Sequence, residues 1–481
     1  MMDKHQDDGE TFMLRSSSYN IYIPLPKRQK GFLLIHGYTG AYDKISQRVK
    51  DLLDYLSQGS EQSIDELALQ YGVSETIIHQ LKKRGYITSL SIEDEQKLFR
   101  QIARYLHKRN EEVNYIFFMT YDCNLACPYC FQNELRKRRD ITGYSFTREG
   151  VDRICKAINF IHSRYYPDTK RTRIGFYGGE PFLKRQYASV HYILEQCKAM
   201  IGDGVEFWGV TNGTDLHFYK ELLGPGKIQS LQITLDGPPE QHDQRRKYAD
   251  GRGSFYRIAE NITLALQKGV KVSVRVNIDR NNMQYLPALM DEVYRQGWPK
   301  FPNFRIYTAV VHASIDWFPD NNTLFSRSEA NTIIRELQLR YPELEAPDER
   351  LRKQIERIFS SGQPPQFRAS YCGAHQGMYI FDPFDNIYTC WELTADPKMR
   401  IGYITPEGEV IFEKESFAFW KQQRTVADME PCQRCPYALY CGGGCAVQAK
   451  VHKGSFFASY CDGFQKRFQQ AAIEAYQKVF S

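Results

Sequence analysis

No stretch of this chain stays apolar for long. The longest apolar runs, GFLLIHG (residues 31–37) and NYIFFMT (residues 114–120), fall far short of the roughly 20 residues that a membrane-spanning helix needs. The opening, MMDKHQDDGE, is charged and holds no apolar h-region, so no secretory signal is expected there. A strong excess of one charge is missing too. The net is +6 over 481 residues, which does not mark a nucleic-acid binder, although a local basic patch stays compatible with it. These absences imply a soluble, cytoplasmic protein with no membrane partner. The length predicts two or three domains with ample surface to bury.

Cysteine, by contrast, is plentiful: positions 123, 127, 130, 155, 197, 372, 390, 432, 435, 441, 445 and 461. Without a secretory signal, clustered cysteines read as metal ligands rather than disulfides. Two read as structural. Cys155 shares a helical face pattern with Val151, Ile154, Ile158 and Ile161, and Cys197 follows Val190, Ile193 and Leu194 at similar spacing. Each is expected to pack as a small hydrophobe. The remaining ten form two groups. Cys123, Cys127 and Cys130 stand at C-x3-C-x2-C, three ligands where common clusters take four. Far downstream come Cys372 and Cys390, then CQRCPYALYCGGGC with Cys432, Cys435, Cys441 and Cys445, then Cys461.

Periodicity divides the chain into four parts. In residues 15–95, FLLIHGYTGAYDKI reads as two short strands about a Gly-containing turn. A helix follows from the N-cap candidate Ser46, then two helical patterns around YGVS. This is a winged-helix pattern, whose commonest use is DNA binding. Residues 110–315 alternate strands (NYIFFMT, RIGFYG, EFWGVT, LQITLD, KVSVRVNI, FRIYTAVV) with helical patterns. Such alternation predicts a parallel α/β sheet with helical crossovers. Six units rather than eight suggest a partial (β/α)6 barrel, open along one side, with its chemistry at the strand C-termini. Residues 316–368 read as a charged helical connector. Residues 369–481, rich in Cys, Gly and aromatics, read as a unit held by metal rather than by a large core.

The first cysteine group directly follows the first barrel strand. The second strand ends in YGGEP, where glycines allow close backbone approach and Glu180 can accept from an ammonium group. The next strands end in VTNGT, ITLDGPPEQHDQRR and VRVNID, which puts Thr234, Asp236, Arg275 and Asn277 at or near one mouth. These groups suit an amino acid, a ribose and a carboxylate. On a four-iron cluster, three thiolates leave one iron to bind a small molecule. A zinc site completed by a distant residue is the alternative.

Taken in order from Cys123 to Asp279, C-x3-C-x2-C, GGEP, TNGT, LDGP and VRVNID resemble the radical S-adenosylmethionine (SAM) enzymes. The resemblance implies that Cys123, Cys127 and Cys130 hold a [4Fe–4S] cluster whose fourth iron takes the amino and carboxylate groups of SAM. It places Tyr129 by the adenine and Gly178, Gly179 and Glu180 at the methionine amino group. Thr234, Arg252 or Arg275, and Asn277 would serve the ribose and carboxylate. An electron given to the sulfonium would release methionine and a 5′-deoxyadenosyl radical, which takes hydrogen from substrate.

The tail resembles the SPASM domain, which carries auxiliary [4Fe–4S] clusters. Cys432, Cys435, Cys441 and Cys461 would hold an outer cluster, and Cys372, Cys390 and Cys445 an inner one, three clusters in all. Sulfatase-maturing members have a further ligand between the first two cysteines and an acidic base after the second. Here GAHQGMYIFDPFDNIYT has no cysteine and Trp391 follows Cys390; both departures argue against that subtype. The inner site lacks a fourth thiolate. Either His375 or Asp382 closes it, or an open iron binds a substrate thiolate, the preferred reading. The N-terminal unit resembles the PqqD-like recognition element, whose strand edge pairs with a leader peptide. The oxygen-sensitive enzyme attached to it favours that use over DNA binding. The resulting expectation is a radical SAM/SPASM maturase of a ribosomal precursor peptide, with flavodoxin or ferredoxin as electron donor. A thioether crosslink comes first, a C–C or C–O crosslink second and epimerisation third. The rival from another class is a metal-bound winged-helix transcription regulator.

Overall fold

The computed structural model describes residues 13–109 and 111–480; the charged opening read for a signal segment lies outside the described residues. The N-terminal unit begins with β1 (Arg15–Ser16), β2 (Asn20–Pro24), β3 (Phe32–His36) and β4 (Tyr42–Ile45), followed by α1 (Gln47–Tyr55), α2 (Ile64–Tyr71), α3 (Glu75–Lys83) and β5 (Ile87–Thr88). β2, β3 and β4 form an antiparallel sheet in that order, and β1 pairs with β5. Ser46 caps α1 by accepting the Val49 N–H at 3.4 Å. YGVS is a stop and a start: Gly72 ends α2 in the left-handed region at φ 59°, and Ser74 caps α3, as a left-handed C-cap and a serine N-cap do. Alternation along β3 sends Leu33 and Ile35 to one face and Leu34 to the other, and both faces are covered. Leu34 packs on Leu52, Leu53 and Leu81, while Leu33 and Ile35 join Phe359, Phe468 and Tyr476 from the far end of the chain.

Helix α4 (Ile92–Lys108) was not expected, and it runs through the expected boundary at residue 95. It leads into β6 (Glu112–Phe118), β7 (Arg171–Tyr177), β8 (Glu206–Thr211), β9 (Ile228–Thr234), β10 (Lys271–Ile278) and β11 (Phe304–Val310), each pair parallel. The crossovers carry α5 (Arg148–Tyr165), α6 (Tyr187–Ile201), α7 (Pro239–Arg245), α8 (Phe255–Gln267) and α9 (Leu286–Arg295). Val151, Ile154, Ile158 and Ile161 of α5 are all buried. Cys155 and Cys197 meet between α5 and α6, at the core's edge and within it. The six parallel strands are those of an open α/β barrel.

The connector holds α10 (Arg327–Leu337), β12 (Leu344–Glu345) and α11 (Glu349–Ser361), and β12 adds to the open edge beyond β11. The tail departs from the expectation of a metal-held unit without much core. Its first strand, β13 (Met378–Phe381), pairs in parallel with β6, Ile380 opposite Ile116. β14 (Asn386–Tyr388), β15 (Gly402–Ile404) and β16 (Val410–Phe412) extend the same sheet to eleven strands. Tyr379, Ile380 and Phe381 are buried in the barrel's own core. Short helices follow, α12 (Lys414–Ala418), α13 (Glu430–Gln433), α14 (Ala438–Cys441) and α15 (Ala446–Lys453), then α16 (Phe464–Phe480), which packs on α11. None of the helices is long and apolar enough to cross a membrane among the described residues.

Candidate active site

The loop after β6 is zipped to the loop after β7. Gly179 N–H donates to the Thr120 carbonyl at 2.8 Å, and Glu180 N–H to that of Asp122 at 2.8 Å. A Cβ on Gly179 would collide with the Asp122 carbonyl, so glycine here lets two backbones touch. The Glu180 side chain does not face an open site. One oxygen accepts from Thr211 Oγ1 (2.6 Å) and Phe182 N–H (3.0 Å), the other from Asn212 N–H (2.6 Å). It is 1% exposed, and burial pushes its carboxyl up to about 7. Glu180 therefore braces the third-strand turn. That turn in turn holds the cysteine loop: Asn212 Nδ2 donates to Asn124 Oδ1 at 2.8 Å and reaches Cys123 Sγ at 3.8 Å.

On the other side of the loop, the Tyr129 hydroxyl donates to Asp236 and accepts from Arg246 Nη1 (2.6 Å) and Asn277 Nδ2 (3.3 Å). The Arg245 guanidinium lies 5.0 Å over its ring. Asn277 N–H donates to Asp236 (2.9 Å), and Arg275 Nε to Asn277 Oδ1 (2.8 Å). Thr234 stands opposite Arg275 in register. Tyr129, Thr234, Arg275 and Asn277 thus gather at one mouth. Arg252 stands apart, paired with Asp250 and laid over Tyr248 with its side chain 76% exposed; the short surface turn that holds it keeps it out of the site. Arg245 and Arg246 were not expected as site residues. Both come from α7 and the residue after it, which the sequence run QHDQRR concealed.

The thiols fit iron–sulfur ligation. Burial pushes Cys123 up to about 12. It also raises Cys127, against the pull of the Arg246 guanidinium, so metal binding must displace protons. Cys123 Sγ accepts the Leu125 N–H at 3.5 Å. Cys372, Cys390, Cys435 and Cys441 likewise accept from Ala374, Glu392, Tyr437 and Gly443. Each donor lies two residues on, and such bonds to sulfur are a tuning feature of these centres. Buried Arg245 Nε and Nη2 and Arg246 Nε have no hydrogen-bond partner, which suits an anionic occupant between Tyr129 and Cys127. No three His, Cys, Asp or Glu side chains among the described residues converge on a single ion.

The tail's thiols have electrostatic neighbours among themselves. Cys432, Cys435, Cys441 and Cys461 feel one another's charge, and so do Cys372, Cys390 and Cys445. Between the sets lies Arg424, 1% exposed, donating to the carbonyls of Phe456, Gly444 and Ala458 and meeting thiols of both. The inner set reaches the barrel mouth. Tyr177, the last residue of β7, stacks on Trp391, the residue after Cys390, and lies within electrostatic range of Cys130, Cys390 and Glu392. His375 and Asp382 are not in position as ligands. The His375 Nδ1 donates to the Trp420 carbonyl (3.1 Å), so its Nε2 accepts from Arg424 (3.3 Å). Asp382 takes two backbone N–H groups on one oxygen and Tyr121 and Asn386 on the other.

Comparison with known proteins agrees with this geometry. Residues 117–293 match the model of the Radical SAM superfamily, so the chain carries a radical SAM domain. The cysteine-type anaerobic sulfatase-maturating enzyme of Clostridium novyi is 26% identical over 184 residues, 36% of this chain and 44% of that protein. This chain thus matches less than half the length of that relative. The serine-type enzyme of Bacteroides thetaiotaomicron is 23% identical over 384 residues, 73% of this chain and 87% of that protein. The solved structure of native anSMEcpe with bound AdoMet superposes with a TM-score of 0.56 at 17% identity, covering 76% of this chain and 99% of that one; it shares the fold.

Proposed function

We propose that this enzyme is a SAM-dependent maturase of a ribosomal precursor peptide and that it joins a cysteine thiol of that peptide to a carbon through a thioether. The observation that carries the reading is the stack of Tyr177, at the end of β7, on Trp391, the residue after Cys390, which joins the barrel mouth to the inner cysteine turn of the tail. The bond replaces one S–H and one C–H. One hydrogen atom leaves in 5′-deoxyadenosine; a proton and an electron remain to be removed. A [4Fe–4S] cluster on Cys123, Cys127 and Cys130 with SAM supplies the radical when bound. Further clusters on the SPASM-like inner and outer cysteine sets would stand where that last electron must go.

The chain's own residues hold and exclude. Asn212 and Glu180 fix the cysteine loop, Tyr129 and Asn277 shape the mouth, and Trp391 roofs it beside Tyr177. The N-terminal unit supports a peptide partner. β2 and β4 each end the three-stranded sheet, leaving edges for a leader to pair with, and Tyr19 ties this unit to the tail through the Gln433 carbonyl. The relatives' names, sulfatase-maturating enzymes, support a polypeptide substrate. Flavodoxin or ferredoxin fits as the electron donor. Reduced protein, SAM and a short cysteine-containing peptide encoded beside this chain's gene should yield 5′-deoxyadenosine and a product lighter by about two hydrogens that no longer reacts with thiol reagents. Formation of 5′-deoxyadenosine with a product whose thiols stay reactive would move the assignment to a C–C or C–O crosslink.

A further inference from the structure

The inner cysteine set has three thiols, and neither His375 nor Asp382 is free to complete it. A different side chain stands there. Glu392 lies in the single 3-10 turn Trp391–Leu393 that directly follows Cys390, and its own N–H donates to the Cys390 thiol. The turn puts this carboxylate two residues beyond a thiol of the inner set. One oxygen, Oε1, stands 3.7 Å from His312 Nε2, and the side chain is 12% exposed. The other, Oε2, is buried and has no hydrogen-bond partner.

An acceptor buried without a donor costs about 1–3 kcal/mol, more for a charged group, and native structures seldom leave one. The neighbours make it stranger. The Glu392 carboxylate lies within electrostatic range of the thiols of Cys390, Cys372 and Cys445, and of Tyr177. Lys421 and Arg424 are within range of Cys372 as well, but Lys421 spends its donors on Gln376, Met378 and Thr389, and Arg424 on three carbonyls and His375. A carboxylate oxygen orphaned beside these thiols is accounted for by a bound cation.

We propose that the Glu392 carboxylate is the fourth ligand of the inner iron–sulfur site in the resting enzyme, beside Cys372, Cys390 and Cys445. The assignment rests on the iron–sulfur reading of the tail and is independent of which peptide bond the enzyme makes. An oxygen ligand is harder than thiolate and raises the potential of the iron it binds. It is also the ligand that a soft incoming thiolate displaces most readily, so a site closed at rest remains a site that a substrate cysteine can open.

The test uses full-length, anaerobically reconstituted protein without peptide. Limited ferricyanide oxidation strips iron from clusters that lack a fourth protein ligand and leaves a three-iron EPR signal that spin counting quantifies. Wild type should give about one such signal per chain, from the barrel site, and Glu392→Ala about two. Glu392→Cys should return to about one, with the inner cluster's potential moved to a more negative value. About two signals in wild type, or about one in Glu392→Ala, overturns the assignment. If Glu392→Ala fails to fold, an unchanged potential in Glu392→Cys overturns it alone. Wild type holding only about four irons per chain would remove the proposal together with the iron–sulfur reading of the tail.

Discussion

The ring of Trp391 lies on that of Tyr177, centroids 5.3 Å apart and planes within 19°. One residue ends the barrel strand before GGEP; the other follows Cys390. The stack joins the inner cysteine turn to the barrel mouth. Trp391→Ala should leave reductive SAM cleavage intact while reducing product formed per 5′-deoxyadenosine by about 10- to 100-fold, the cost of losing substrate position. Trp391→Phe should recover most of it. Quantifying both products in one reaction decides the matter; a parallel loss of 5′-deoxyadenosine would assign the stack a structural role only.

Glu180 separates two accounts of the GGEP turn. If its carboxylate held the SAM ammonium, Glu180→Gln would abolish SAM binding and spare stability. The structure has three donors on that carboxylate already. Replacing it by Ala strands two backbone N–H groups, which should cost about 2–4 kcal/mol. Glu180→Gln should keep SAM affinity within about threefold while lowering Tm by several degrees. Calorimetry of SAM binding beside thermal melts distinguishes the two.

How much of this was legible beforehand follows from what each feature depends on. KVSVRVNI and EFWGVT coincide with β10 and β8 because buried parallel strands are apolar runs between turn residues, a local signal. The grouping of ten cysteines into two stretches was legible from their order along the chain. Helix α4 was not, since its buried positions, among them Phe99 and Ala103, form a narrow stripe in a charged segment. Nor was the joining of β13 to β6, a pairing between strands of four and seven residues whose partners are more than 260 positions apart. Glu392 stood in view one residue beyond Trp391, but nothing in the sequence shows that one of its oxygens is buried without a partner. The GGEP motif suggested a ligand for Glu180, and the fold turned the carboxylate inward to the neighbouring strand end.

His36 ties stability to pH. It is fully buried between Tyr38 and Tyr86, with Nε2 2.9 Å from Ser17 Oγ, and burial lowers it from 6.5 to about 4, against the pull of Glu95. The folded state therefore holds His36 neutral where the unfolded chain would protonate it. Its contribution is full above pH 6.5, falls as pH drops, and is gone below about 4. Over that window the protection of β3 amides in hydrogen exchange should fall by about 3 kcal/mol. His36→Gln should flatten the profile. A wild-type profile that rises toward acid would contradict the burial of a neutral imidazole.

Arg424 is a cation enclosed between two sets of thiols, with Cys372 and Cys445 on one side and Cys432 and Cys441 on the other. A fixed positive charge stabilises the reduced, more negative form of any cluster near it, and burial makes that effect larger than it would be in water. Removing the charge should therefore lower the potentials of both proposed tail clusters together. A loss of about 1.4 kcal/mol of interaction corresponds to about 59 mV for a one-electron couple. Arg424→Gln should show shifts of that order in spectroelectrochemical titration. Arg424→Lys keeps the charge but drops some of the bonds to Phe456, Gly444 and Ala458, so it should lower Tm while leaving the potentials nearly in place. If only one potential moves, Arg424 serves that cluster alone; if Arg424→Lys moves both as far as Arg424→Gln does, the carbonyl scaffold rather than the charge sets them.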